Sequence, residues 1–124
     1  MAKLSAQRLF VRNLVVPCSI GVHRHEKDAP QRVRVSVEID MAAPFSPDSD
    51  SIGVVLSYDD IVDGVKHIIA FGHINLVETL ASRIAAHCLL DERVAKVKVT
   101  VEKLDVLSGS ATVGTEIECF AEER

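Results

Sequence analysis

Lys103 occupies a position where an apolar side chain belongs. Val97, Val99 and Val101 alternate with Lys98, Thr100 and Glu102, the period-two pattern of a strand with one dry face, and that parity turns Lys103 inward at the strand's end. A lysine at the mouth of a core either snorkels to water or is held for chemistry, because desolvation and neighbouring charges can lower an amine's pKa. For a lysine taken alone, snorkelling is the commoner outcome. Glu26 lies in a polar stretch, Val22-His-Arg-His-Glu-Lys-Asp-Ala-Pro30, where most glutamates are solvated charges. It becomes an acid–base partner only if folding brings it to Lys103. Glu78 follows Asn75 at the spacing of a capping box, and spacing alone favours that reading. The alternative is a carboxylate at a helix start that accepts paired hydrogen bonds from an amidine-like edge. Tyr58, the only tyrosine, reads as a rim aromatic or a phenolic proton donor. His23 and His25 would share a face on a strand and form half of a zinc site, but His67, His73 and His87 do not cluster with them in sequence.

Composition narrows the function classes. The chain has 124 residues, 48% hydrophobic and 26% charged, which is ordinary globular composition for one domain, and we expect residues 1–124 to form it. A formal net charge of -4 with no basic run excludes a nucleic-acid surface held by bulk electrostatics. Cys18, Cys88 and Cys119 are odd in number and far apart, which suits free thiols in a cytoplasmic setting rather than a disulfide framework. The N-terminal residues lack an apolar signal core, and no apolar run is long enough to span a bilayer, so no membrane association is expected.

The elements that must position these groups are readable in outline. Arg8 to Val16 reads as a strand, with Pro17 and Gly21 breaking or bending the chain beyond it, and the polar stretch from Val22 to Pro30 reads as a loop. From Gln31, Val33, Val35, Val37 and Ile39 alternate with polar residues. Ala42 to Ser57 is a connection rich in Pro, Ser and Asp. A helix starts after Ser57, whose hydroxyl can cap it, and Gly72 suits its end. A second helix starts after Asn75, with Leu76, Val77, Leu80, Ala81, Ile84, Ala85, Cys88 and Leu89 on its buried side. The Lys103 strand comes next, then a strand with Ala111, Val113, Thr115, Ile117 and Cys119 on one face. The order ββααββ implies an α+β fold, an antiparallel four-stranded sheet with both helices on one face. Its open edges and second face suggest self-association.

Taken together, Ile20-Gly-Val-His-Arg-His-Glu26, Gln31 opening a strand, Leu56-Ser-Tyr-Asp59, Asn75-Leu-Val-Glu-Thr-Leu-Ala81, the Val-x-Val-x-Val-x-Lys103 strand and Val113-Gly114 resemble dihydroneopterin aldolase. The resemblance runs in order along nearly the whole chain, and its most specific parts are Asn-Leu-Val-Glu and the strand-end lysine. It implies the tunnelling fold (T-fold), assembled through its edges into a ring, a homo-octamer or tetramer with sites between subunits. It also implies a metal-free retro-aldol cleavage of a pterin, with no cofactor. By the same resemblance Lys103 is the catalytic lysine, Glu26 works with it, and Tyr58 comes from the neighbouring subunit. Glu78 binds the amino-pyrimidine edge, against the capping preference; Leu56 and Ser57 lie on the pocket wall, and Val22 and Val77 line the ring's surface.

The chain departs from the family pattern at two places. Leu104 comes after the lysine where the family very often has proline, and Ser57 precedes the tyrosine where many members have histidine. Lys103-Leu-Asp-Val-Leu107 also resembles the sister epimerase acting on dihydroneopterin triphosphate. A triphosphate would want a cationic funnel, for which Arg24 and its flanking histidines are modest candidates. Two other readings are a zinc enzyme of the pyruvoyl-tetrahydropterin synthase type, which also uses His-x-His, and a non-catalytic pterin-binding ring.

Overall fold

Two valine ladders form the centre of the molecule. In this computed structural model, which describes residues 3–46, 48, 50 and 56–122, β2 (Gln31–Met41) and β3 (Val94–Lys103) pair antiparallel. Val33 faces Lys103, Val35 faces Val101, Val37 faces Val99 and Ile39 faces Val97. These apolar residues are at most 1% exposed, so the dry face inferred from alternation is real. Each buried side chain of this kind stabilises by roughly 1.5–3 kcal/mol before ordering entropy is subtracted.

β1 (Arg8–Cys18) pairs with β2 and β4 (Val113–Phe120) pairs with β3, giving the order β1-β2-β3-β4. β1 does not stop at Val16. It runs through Pro17, opposite Arg32, to Cys18. An edge strand pairs on one side only, so it can absorb a residue without an N–H. A bulge between Val11 and Leu14 centres on Asn13, at φ 61°, whose N–H donates to Ser36 Oγ at 3.0 Å. β4 begins at Val113 rather than Ala111. Of the expected connection Ala42 to Ser57, residues 47, 49 and 51–55 lie outside the described residues.

α1 (Tyr58–Ala70) starts at Ser57, whose hydroxyl accepts from the Asp59 N–H at 3.2 Å. α2 (Val77–Leu89) buries Leu80, Ala81, Ile84, Ala85 and Cys88. It packs on β3 and β4, α1 packs on β1, and the two helices touch. Both therefore lie on the valine face, as the pattern suggested. The other face carries ion pairs: Arg8–Asp40 at 2.9 Å, Lys98–Glu38 at 3.1 Å, Lys96–Glu118 at 3.3 Å and Arg34–Glu102 at 2.7 Å. Such half-exposed pairs add little stability each, but they make this face a wetted one that needs no apolar cover. Among the described residues, no helix is long and apolar enough to cross a membrane.

Candidate active site

Lys103 sits on the last rung of the β2–β3 ladder. The register continues one step beyond it, because the Leu104 N–H donates to the Arg32 carbonyl at 3.1 Å. A proline at this position could not make that bond. The Asp105 carboxylate then accepts from the Arg32 N–H at 2.8 Å and from its guanidinium at 2.7 Å and 3.1 Å. Backbone is thus held on both sides of Lys103, whose side chain is only 15% exposed and whose Nζ lies 2.7 Å from Glu26 Oε2.

Glu26 reaches that position through a 3₁₀ turn, Arg24–Lys27, inside the stretch expected to be loop. It is 6% exposed, and it is the one buried charged residue among those described. Its Oε2 also accepts from Gln31 Nε2 at 2.8 Å, and its Oε1 reaches back to the His23 N–H at 3.3 Å. Burial pushes its pKa up. The hydrogen bonds from Lys103, Gln31 and His23, with the charge of Lys103, outweigh that and hold it down from 4.5 to about 2. At neutral pH Glu26 is therefore a carboxylate. Gly21 makes the room: at φ +129°, a Cβ there would lie 2.1 Å from Glu26 Cδ and 2.4 Å from both carboxylate oxygens.

Around this pair opens a cleft of about 520 Å³, walled by Gln31, His23, His25 and the segment from Asp105 to Leu107. The His23 and His25 rings stack at 5.7 Å with their planes 3° apart, rather than facing one way from a strand. Among the described residues, no group of three His, Cys, Asp or Glu side chains gathers to hold a metal ion.

The remaining candidates do not line this cleft within one chain. Glu78 is exposed, and the Asn75 capping box does not form: α2 has Leu76 as its N-cap, with no side-chain cap bond. The helix starts one residue too late for Asn75 to serve, which leaves the Glu78 carboxylate without a hydrogen-bond partner among the described residues. Tyr58 is 58% exposed at the head of α1, Ser57 spends its hydroxyl on the cap, and Leu56 is buried. Val22 is 54% exposed and Val77 half-buried.

The start of α2 is nevertheless tied to the Glu26 cradle. Ile20 bridges Ile74, the Gly21 N–H donates to the Ile74 carbonyl at 2.9 Å, and the Ile74 N–H donates to the Ser19 carbonyl at 3.0 Å. His73 Nε2 must donate to the Gly21 carbonyl at 2.8 Å, since that oxygen can only accept, and its Nδ1 is hydrogen-bonded to the Ser19 hydroxyl at 2.6 Å. One short segment, Ser19 to Gly21, thus carries both the approach to Glu78 and the approach to Glu26.

The model of the FolB dihydroneopterin aldolase family matches residues 9–118. The chain is 31% identical over 98 residues to dihydroneopterin aldolase of Streptomyces coelicolor, covering 79% of this chain and 82% of that one. It is 27% identical over 110 residues to dihydroneopterin aldolase of Escherichia coli K12, covering 89% and 90%. Among solved structures, dihydroneopterin aldolase from Burkholderia thailendensis bound to guanine superposes with TM-score 0.82 at 33% identity, over 94% and 93% of the chains. The Escherichia coli enzyme in complex with neopterin superposes with TM-score 0.81 at 27% identity, over 91% and 98%. The ββααββ sheet is thus the T-fold-like architecture of these enzymes, and the protein is an enzyme of the lyase class. The chain belongs to the dihydroneopterin aldolase family.

Sequence reasoning missed three parts of the site. The space left by Gly21 was foreshadowed only by a glycine ahead of a polar run. The Gln31 contacts with Glu26 had no signal beyond a polar residue opening a strand. The Arg32–Asp105 clamp joins residues far apart in the chain, and no local pattern announces it.

Proposed function

We propose that the protein cleaves 7,8-dihydroneopterin by a retro-aldol reaction, giving 6-hydroxymethyl-7,8-dihydropterin and glycolaldehyde for folate synthesis in the cytoplasm. The observation that carries this reading is the Lys103–Glu26 pair, 2.7 Å apart in a cleft next to the segment that leads to Glu78. The names of the relatives, and the neopterin complex of one of them, support it.

The reaction removes a proton from the hydroxyl on the second side-chain carbon and breaks the bond between the first and second side-chain carbons. The released electron pair enters the conjugated C=N of the dihydropterin. Glycolaldehyde departs, and a proton added to the remaining side-chain carbon restores the C=N. Because the substrate holds its own electron sink, the protein's task is positioning and proton transfer. Lys103, with Glu26 and a water, handles the hydroxyl proton, and Glu26 stays ionised to hold the amine in place. Glu78, exposed and unpaired among the described residues, accepts paired hydrogen bonds from the pterin's amino-pyrimidine edge. Val22 and Val77 flank the ring. Tyr58, with Leu56 and Ser57 beside it, comes from an adjacent subunit and delivers the returning proton directly or through water. That placement is consistent with a phenol 58% exposed and outside its own chain's Lys103 cleft. It calls for a ring, a homo-octamer or tetramer joined through the open edges of β1 and β4. Glycolaldehyde returning to the opposite face would yield the epimer, dihydromonapterin, as a side activity.

The test is to incubate the pure protein separately with dihydroneopterin and with its triphosphate, with and without chelator, and identify the products. Glycolaldehyde release from the unphosphorylated compound is the expected result. Epimer alone, formed from the triphosphate alone, would replace the aldolase by the sister epimerase.

A further inference from the structure

We infer that Gln31 is a positioning residue of this site: its amide clamps the Glu26 carboxylate in the orientation that meets Lys103. Gln31 opens β2 opposite Cys18, so its backbone is set by the sheet, while its half-buried side chain forms part of the cleft wall. Nε2 donates to the Ile20 carbonyl at 2.7 Å and to Glu26 Oε2 at 2.8 Å, which uses both amide hydrogens. The flipped amide would turn an oxygen toward two acceptors, so only one orientation is tenable. The same Oε2 receives Lys103 Nζ at 2.7 Å. That oxygen is therefore pinned between an amide fixed to the β1 end and the amine it must orient, whereas Oε1 has a single, longer bond of 3.3 Å.

Without the amide, the carboxylate can swing about its remaining contacts and the amine loses its fixed partner. Ile20, the other acceptor of the clamp, also bridges Ile74 ahead of α2. Gln31 thereby links the Glu26–Lys103 pair to the bridge at Ile74, just ahead of α2, the helix that carries Glu78. The side chain touches Glu26 rather than the reacting atoms, so it acts through its neighbour.

The kinetic arm of the test rests on the aldolase reading, while the titration arm needs no substrate. Gln31→Met keeps the length and removes both donors. In the full-length protein with 13C-labelled glutamate, the Glu26 carboxyl should titrate at higher pH than in the parent, because a bond to its charged form is gone. Turnover of dihydroneopterin should show kcat reduced about tenfold to a hundredfold with KM changed less than about threefold, the signature of lost orientation. Gln31→Glu puts a second carboxyl against Glu26. At neutral pH the two carboxylates repel and activity is lost; on acidification they share one proton and activity returns, whereas parent Glu26 stays ionised over the same range. This second variant decides the matter if Gln31→Met does not fold. An unmoved Glu26 titration or an unchanged kcat in Gln31→Met, or a parent-like pH profile in Gln31→Glu, would overturn the assignment. If the parent itself does not turn over dihydroneopterin, the aldolase reading fails while the Glu26 titration still decides the clamp.

Discussion

Gly21→Ala tests the geometry of the site by adding a single carbon. A Cβ at residue 21 would stand 2.1 Å from Glu26 Cδ. Unbonded carbons rest about 3.5–4.0 Å apart, so the carboxylate must retreat by roughly 1.4 Å or more. The 2.7 Å contact with Lys103 cannot survive a retreat of that size. Misplacing a catalytic group by about 1 Å costs on the order of a hundredfold in rate, so kcat should fall by about that factor. Stability should suffer as well. The backbone at φ +129° is costly for an L-residue, by about 1–3 kcal/mol, and loss of the buried hydrogen bonds adds about 1 kcal/mol or more. At roughly 4 °C per kcal/mol for a domain of this size, Tm should drop by about 8–16 °C. Gly109→Ala is the control: it has φ +74° but nothing within 4 Å of the added carbon, so it bears the backbone cost without the clash. The assay is glycolaldehyde release at saturating dihydroneopterin, paired with thermal unfolding. A Gly21→Ala protein with kcat within about threefold of the parent would refute the reasoning, because it would mean the Glu26–Lys103 contact tolerates displacement or does not matter.

The same structure sets two further outcomes. Glu78→Ala should leave Tm within about 1 °C, since the carboxylate is exposed and makes no cap, while KM for dihydroneopterin rises about tenfold or more; a large Tm loss measured by calorimetry would restore the capping role. The folded pKa of Glu26 is depressed from 4.5 to about 2, so its contribution is fully present above 4.5 and lost as pH falls toward 2. Discounted for water entering the open cleft, it is on the order of 2 kcal/mol. Urea midpoints should be flat from pH 7 to about 5 and then fall, and the fall should be shallower in Glu26→Gln.

Local pattern carried much of the fold because the driving forces there are periodic. Alternating valines place β2 and β3, the apolar stripe places α2, and Ser57 marks the start of α1 through its own hydroxyl. Where a local signal met tertiary context, context won. Pro17 suggested a break, yet an edge strand accommodates it, and Asn75-x-x-Glu78 suggested a cap, yet the helix begins one residue later. The inward parity of Lys103 was legible for the same periodic reason as the valines before it.

The partner of Lys103 lies beyond the reach of those periodicities. Glu26 looks like any solvated loop acid until a 3₁₀ turn, the bare Cα of Gly21 and the amide of Gln31 bring its carboxylate under cover beside the amine. Hydrophobic alternation is a property of neighbours in the chain and can be read from them. A hydrogen bond between residues 26 and 103 depends on the β2–β3 register and on how the chain leaves β1, and these exist only once the sheet has closed.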